Sequence, residues 1–108
     1  MKYKIFKNFK EANKHYNFSC SYQIGSCVND KGVYRSFSNM KYEKDIYKDD
    51  FNVIYYLCDH ENVKKGFLLN KKYNTKVRVF LKVNTNITYD LGLYKFDKYY
   101  KNYAKLVR

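Results

Sequence analysis

Proline is absent from this chain, and glycine occurs only four times in 108 residues. Without proline no segment marks itself as an interdomain linker, no internal repeat is visible, and the length suits one small core. Residues 1–108 therefore read as a single domain. No window reaches membrane-spanning length, so neither a transmembrane helix nor a membrane partner is expected. The segment MKYKIFKNFK lacks the apolar run of a secretory signal, and the cysteines number three, an odd count. Reduced thiols and an intracellular location, cytoplasm or nucleus, are expected.

Catalytic and metal motifs are missing as well. Zinc sites use paired ligands two to four residues apart, whereas Cys20 and Cys27 are seven apart and Cys58 and His60 are separated by one residue. The cysteines lie in apolar stretches and read as small core residues. Asp49-Asp50 and Asp59-His60-Glu61 do not form the carboxylate cluster of a metal-dependent nuclease. There is no phosphate-cradling glycine loop and no serine or cysteine nucleophile motif. A non-enzymatic protein with no catalytic residues, metal or cofactor is expected.

Acidic residues are scarce too: 10 Asp and Glu stand against 22 Lys and Arg, a formal net charge of +12 spread over the whole length. Such a chain seeks polyanions, and nucleic acid is the commonest. A highly soluble surface or the lysine bias of an AT-rich genome would also raise the lysine count, but neither explains so few acids. What is abundant is aromatic, with 14 tyrosines and 8 phenylalanines. A disordered basic tail would be poor in them, so the chain is expected to fold. Tyrosine also offers a face on which an unstacked base can lie.

The clearest pattern runs from Lys76 to Tyr103. Val77, Val79, Leu81 and Val83 alternate with Arg78, Phe80 and Lys82, the period of a half-buried strand. Asn84 to Thr88 breaks it, and Tyr89 to Phe96 reads as a second strand of an antiparallel hairpin, with Gly92 marking a bulge or a close approach. Earlier, Phe6, Phe9, Ala12, Asn13 and Tyr16 fall at helical spacing. Phe18 to Val28, the turn Asn29-Asp30-Lys31-Gly32, and Val33 to Phe37 predict a first hairpin. Asn39 to Asp50 reads as a long surface loop, Phe51 to Cys58 as a central strand, and Asp59 as the cap of a helix with Val63, Phe67 and Leu68 on one face. Lys71, Lys72 and Lys76 form a basic patch at its end, and Ala104 to Val107 is a last strand. The order predicts an α+β fold: a small curved, mostly antiparallel sheet or partly closed β-barrel with one or two flanking helices.

A VRVF strand, a polar loop, and Tyr89-Asp90-Leu91-Gly92 with Leu93-Tyr94 following resemble the SRA-YDG (SET- and RING-associated) domain of the PUA-like superfamily, here with one residue inserted before the glycine. That family reads modified cytosine in DNA. Tyr42-Glu43-Lys44-Asp45, followed by the strand Val53 to Leu57, is similar to the family's pocket for a flipped base. The resemblance implies that Tyr42 and Tyr56 stack on the base, with Tyr55 an equally available ring, and that Asp45 accepts a hydrogen bond from the exocyclic amine. A flipped base loses stacking and pairing of a few kcal/mol, which such a pocket must return. Arg35, Lys41, Lys44 and Lys48 are the expected contacts to the DNA backbone. A nuclease or other effector protein is the expected companion. Tyr56 as a core ring, Tyr42 as a rim aromatic and Asp45 paired to a lysine stay open. So do two other functions: a generic basic nucleic-acid binder without a base pocket, and a small inhibitor docking on an acidic protein surface.

Overall fold

The computed structural model describes residues 3–18, 33–39, 45–58 and 61–108, with 34–39, 62, 63, 66 and 69 given by backbone alone. The elements run β1 (Lys4–Phe6), α1 (Phe9–His15), β2 (Tyr34–Asn39), β3 (Ile46–Lys48), β4 (Val53–Leu57), α2 (Glu61–Lys72), β5 (Val77–Asn84), β6 (Ile87–Tyr100) and β7 (Tyr103–Val107). The strands lie in the order β2-β5-β6-β7-β4-β3, with β1 added to β6. Only β2 and β5 run parallel among the described pairs. The result is an α+β fold, a curled, mostly antiparallel half-barrel sheet with two helices. No helix among the described residues is long and apolar enough to cross a membrane.

The 14-residue strand β6 holds the sheet together. Its first half pairs with β5 on one edge and β1 on the other, and its second half pairs with β7. Two extra residues in β6, at Leu91 and at Asp97, let one strand serve both halves. Val79 pairs with Gly92 but Phe80 with Asp90, so Leu91 and Gly92 together oppose one step of β5. The extra residue reverses the side-chain phase of β6. Tyr89 and Leu91 face the core before the bulge and Tyr94 and Phe96 after it. Without it the last two would point away. Gly92 carries φ +95°, a conformation that disfavours side chains, and Arg108 Nη1 would lie 3.2 Å from any Cβ placed there.

The main core joins Val77, Val79 and Leu81 of β5 with Ile54 and Tyr56 of β4, Ala104 and Leu106 of β7, and Phe67 of α2. Burial of each large aliphatic side chain contributes about 1.5–3 kcal/mol. Phe80 points to the opposite face, where Phe6, Phe9, Tyr16 and Phe18 cover it in a second, smaller core. Both faces of β5 are therefore enclosed.

In a chain so poor in glycine, asparagine ends the helices. Asn17 (φ 60°) and Asn74 (φ 52°) adopt the left-handed conformation just past α1 and α2. Phe18 N–H then donates to Asn13 O at 2.9 Å, and Thr75 N–H to Asn70 O at 3.0 Å, the six-to-one bonds of a Schellman cap. Asn8 opens α1, its side chain accepting from Glu11 N–H at 2.9 Å.

The main hairpin, the α2 helix and the closing strand stand where the pattern predicts them. Four details differ. Phe6 belongs to β1, not to the helix. The expected loop Asn39–Asp50 ends in β3, which pairs with β4 through a turn whose Asp49, Asp50 and Phe51 all have positive φ. β2 pairs in parallel with β5, and the preceding half of the predicted first hairpin lies outside the described residues, as does Asp59. Leu68 is 53% exposed and does not share the buried face of Phe67.

Candidate nucleic-acid interface

In β3, β4, β7 and the second half of β6, alternate residues face opposite sides of the sheet. Tyr47, Ile54, Tyr56, Phe96, Ala104 and Leu106 face inward, in or against the core. The outward rows are half-buried or exposed, and α1 and α2 pack elsewhere, over Phe80 and against Tyr56 and Phe96 respectively.

These outward rows bring tyrosines and lysines together on one face. Across β4, β7 and β6, Tyr55 pairs with Lys105 and Lys105 with Lys98. The next row is Leu57, Tyr103 and Tyr100, and the row on the other side is Val53, Val107 and Lys95. Ile46 and Lys48 of β3 extend them beside Tyr55 and Val53. Tyr100 is 56% exposed, and its ring centroid stands 6.2 Å from that of Tyr55 at 64°. Lys48 Nζ lies 5.6 Å from the Tyr55 ring and Lys101 Nζ lies 5.9 Å from the Tyr100 ring. Asp97, in the second bulge of β6, sits 3.8 Å from Lys105 Nζ, an exposed contact of little energetic weight. Such a surface offers aromatic faces for bases and cations for phosphates within one strand spacing of each other.

Two of the residues singled out from the sequence, Tyr55 and Lys48, meet on this face. Tyr56 does not: its ring is 3% exposed and edge-on to Phe67 at 5.8 Å. Asp45 is half-buried, and its Oδ1 accepts the Leu57 N–H at 2.8 Å, fastening the start of β3 to the end of β4. Arg35 lies in β2, at the opposite end of the strand order from Lys48, with its backbone in register with Arg78. Tyr42, Lys41, Lys44 and the turn Asn29-Asp30-Lys31-Gly32 lie outside the described residues. The residues of this face not foreseen are Lys95, Lys98, Tyr100, Tyr103 and Lys105. The alternation of Tyr103 and Lys105 with Ala104 and Leu106 carried that signal, but the bulge at Asp97 breaks the phase in β6.

The Tyr-Asp-Leu-Gly stretch serves the fold. Asp90 is buried, and both its oxygens lie 3.0 Å from Arg78 Nη1, while Oδ1 accepts the Gly92 N–H at 2.9 Å. Tyr16 donates its hydroxyl to Oδ2, and the Arg78 guanidinium lies over the Tyr16 ring at 4.1 Å. Burial, then the hydrogen bond and charge of Asp90, push the Tyr16 hydroxyl up to about 12 against a smaller opposing effect of Arg78. A second knot binds Arg108. Its guanidinium donates to Tyr94 OH at 2.8 Å, to Phe51 O at 3.2 Å and to Leu91 O, and its Nε donates to Asn52 Oδ1 at 3.1 Å. Both knots are structural. Among the described residues no three His, Cys, Asp or Glu side chains gather as metal ligands.

Comparison with protein-family profiles, with curated proteins and with solved structures gives no match to this chain.

Proposed function

We propose that this protein is a nucleic-acid-binding module that holds an unpaired DNA strand on the open face of its sheet. Bases stack on Tyr55, Tyr100 and Tyr103, and phosphates meet Lys98, Lys105 and Lys95. The observation that carries the reading is the clustering of Tyr55, Tyr100 and Tyr103 with Lys95, Lys98 and Lys105 on one face of β4, β7 and β6. Each base–tyrosine stack contributes about 1–3 kcal/mol and tolerates any base. Each lysine on a phosphate releases a condensed cation, so affinity falls steeply with salt.

The open face is favoured over a flipped-base pocket because Tyr56 is enclosed in the core and the Oδ1 of Asp45 already accepts a backbone N–H. A module of this size acts inside the cell as the strand-gripping partner of an effector such as a nuclease, with no catalysis of its own.

Fluorescence anisotropy with labelled single-stranded DNA, single-stranded RNA, plain duplex and duplex carrying 5-methylcytosine tests it. The expected order places single strands above both duplexes, with no effect of the methyl group. Preference for the methylated duplex would restore the flipped-base pocket, and failure to bind any of the four would leave an acidic protein surface as the partner.

A further inference from the structure

The tyrosine face ends at the edge of β6, and there it opens into a groove of about 390 Å³. β5 begins only at Val77, opposite Tyr94, so among the described residues no strand pairs with residues 95–100 of β6 on that side. The end of α2 and the turn after it stand there instead. Asn70, Lys71, Asn74 and Thr75 form one wall, and Lys95, Phe96 and Asp97 form the other. Asn70 and Phe96 are buried and make the floor, while Lys71 and Lys95 are exposed at the rim.

Accepting the open sheet face as the binding surface, we propose that this groove is its second subsite, taking one further nucleotide of the same strand with a phosphate between Lys71 and Lys95. Three features support it. Lys95 belongs to both places: it is the last outward residue of the sheet row and a wall of the groove. Two of the carbonyls at the end of α2 that would repel a phosphate are already bound, Asn70 O by Thr75 N–H and Lys71 O by Asn74 N–H. Asp97, the only acid of the lining, lies beside Lys105. The other exposed acids nearby, Asp49 and Asp50, sit in the β3–β4 turn, two strand spacings from β6, about 10 Å. From Tyr100 to Lys95 the path along β6 covers about 17 Å, which corresponds to a site of about four nucleotides, the low end for sheet platforms.

The test compares binding of a thymidine dinucleotide, tetranucleotide and octanucleotide to wild type, Lys71→Ala, Tyr100→Ala and the neighbouring Lys72→Ala. Lys71→Ala is expected to weaken the octanucleotide about three- to fourfold at ~0.15 M salt and to lower the salt slope by about 0.7, the loss of one single-strand phosphate contact. The dinucleotide, held on the tyrosines, is expected to bind Lys71→Ala as it binds wild type. Tyr100→Ala is expected to weaken every length. If Lys71→Ala loses no more than Lys72→Ala, or loses equally on the dinucleotide, the groove is not a subsite and the platform stands. If no oligonucleotide binds, or Tyr100→Ala binds all of them as wild type does, the platform fails and the groove with it.

Discussion

Arg78 and Asp90 stand on neighbouring strands, Asp90 paired with Phe80 two residues along β5 from Arg78, and the single nitrogen Nη1 of Arg78 lies 3.0 Å from both oxygens of the carboxylate, whose side chain is 4% exposed. Removing one partner of such a pair leaves an uncompensated buried charge. Arg78→Met is therefore expected to cost about 3–5 kcal/mol, read as a lower urea midpoint at unchanged slope. Asp90→Asn keeps the shape and removes the charge, so it should cost less than Asp90→Ala. Equal midpoints for Arg78→Met and wild type would show that Tyr16 and Gly92 suffice to hold the carboxylate.

Gly92 offers a sharper test of the bulge. At φ +95° a side chain is strained, and its Cβ would press on Arg108 Nη1 at 3.2 Å. Gly92→Ala should lose about 1–3 kcal/mol, the cost of a residue held in a sparsely populated backbone region. The loss is expected to stay when Arg108 is also replaced by alanine, because relieving the contact leaves the backbone strain. Thermal melts of the two single variants and the double variant separate the two contributions.

Tyr16, Tyr94 and Tyr99 resist ionisation. Burial first of all pushes Tyr16, Tyr94 and Tyr99 up to about 12, with Asp90 adding at Tyr16 and Cys58 and Glu61 adding at Tyr99. Between pH 10 and about 12 the unfolded chain releases these protons while the folded chain retains them, so the folded state binds more protons and stability falls as pH rises. The stabilising effect is complete below pH 10 and lost through about 12. Phenolate absorbance should show a late step that coincides with unfolding by circular dichroism. Tyr94→Phe should shrink that late step.

Period-2 runs made the fold readable. Val77 to Val83 and Ala104 to Val107 announce buried strands by alternation alone, and Gly92 announces the bulge. The strand β3 was hidden because Ile46-Tyr47-Lys48 is too short to show a period and follows a charged stretch. The parallel pairing of β2 to β5 was hidden because register between distant segments is set by the whole sheet. The interface was half legible. Tyr55 stood out as a ring, but the bulge at Asp97 shifts the phase of β6, so Lys98 and Tyr100 cannot be assigned to the face of Tyr103 and Lys105 until the strands are paired.

Tyr55 and Tyr56 are neighbours in sequence on opposite faces of β4, and this separates binding from folding in two substitutions. The Tyr56 ring, 3% exposed, packs on Phe67 in the main core. Tyr56→Ala opens a cavity there and is expected to cost about 3–5 kcal/mol, as other large-to-small aromatic replacements do. The Tyr55 ring lies on the outward face with Tyr100 and Lys48. Tyr55→Ala is expected to change stability by less than about 1 kcal/mol, the worth of a cross-strand pair. Its single-strand affinity should fall by about 1–3 kcal/mol, the worth of one base stack. Tyr55→Phe keeps the stacking face and should restore most of that affinity. The pattern reverses if the base is held in a pocket built on Tyr56. Then Tyr56→Phe, which preserves the core volume, would weaken binding through its lost hydroxyl while Tyr55→Ala would not. Urea denaturation and anisotropy on the same four variants decide between the two faces of one strand.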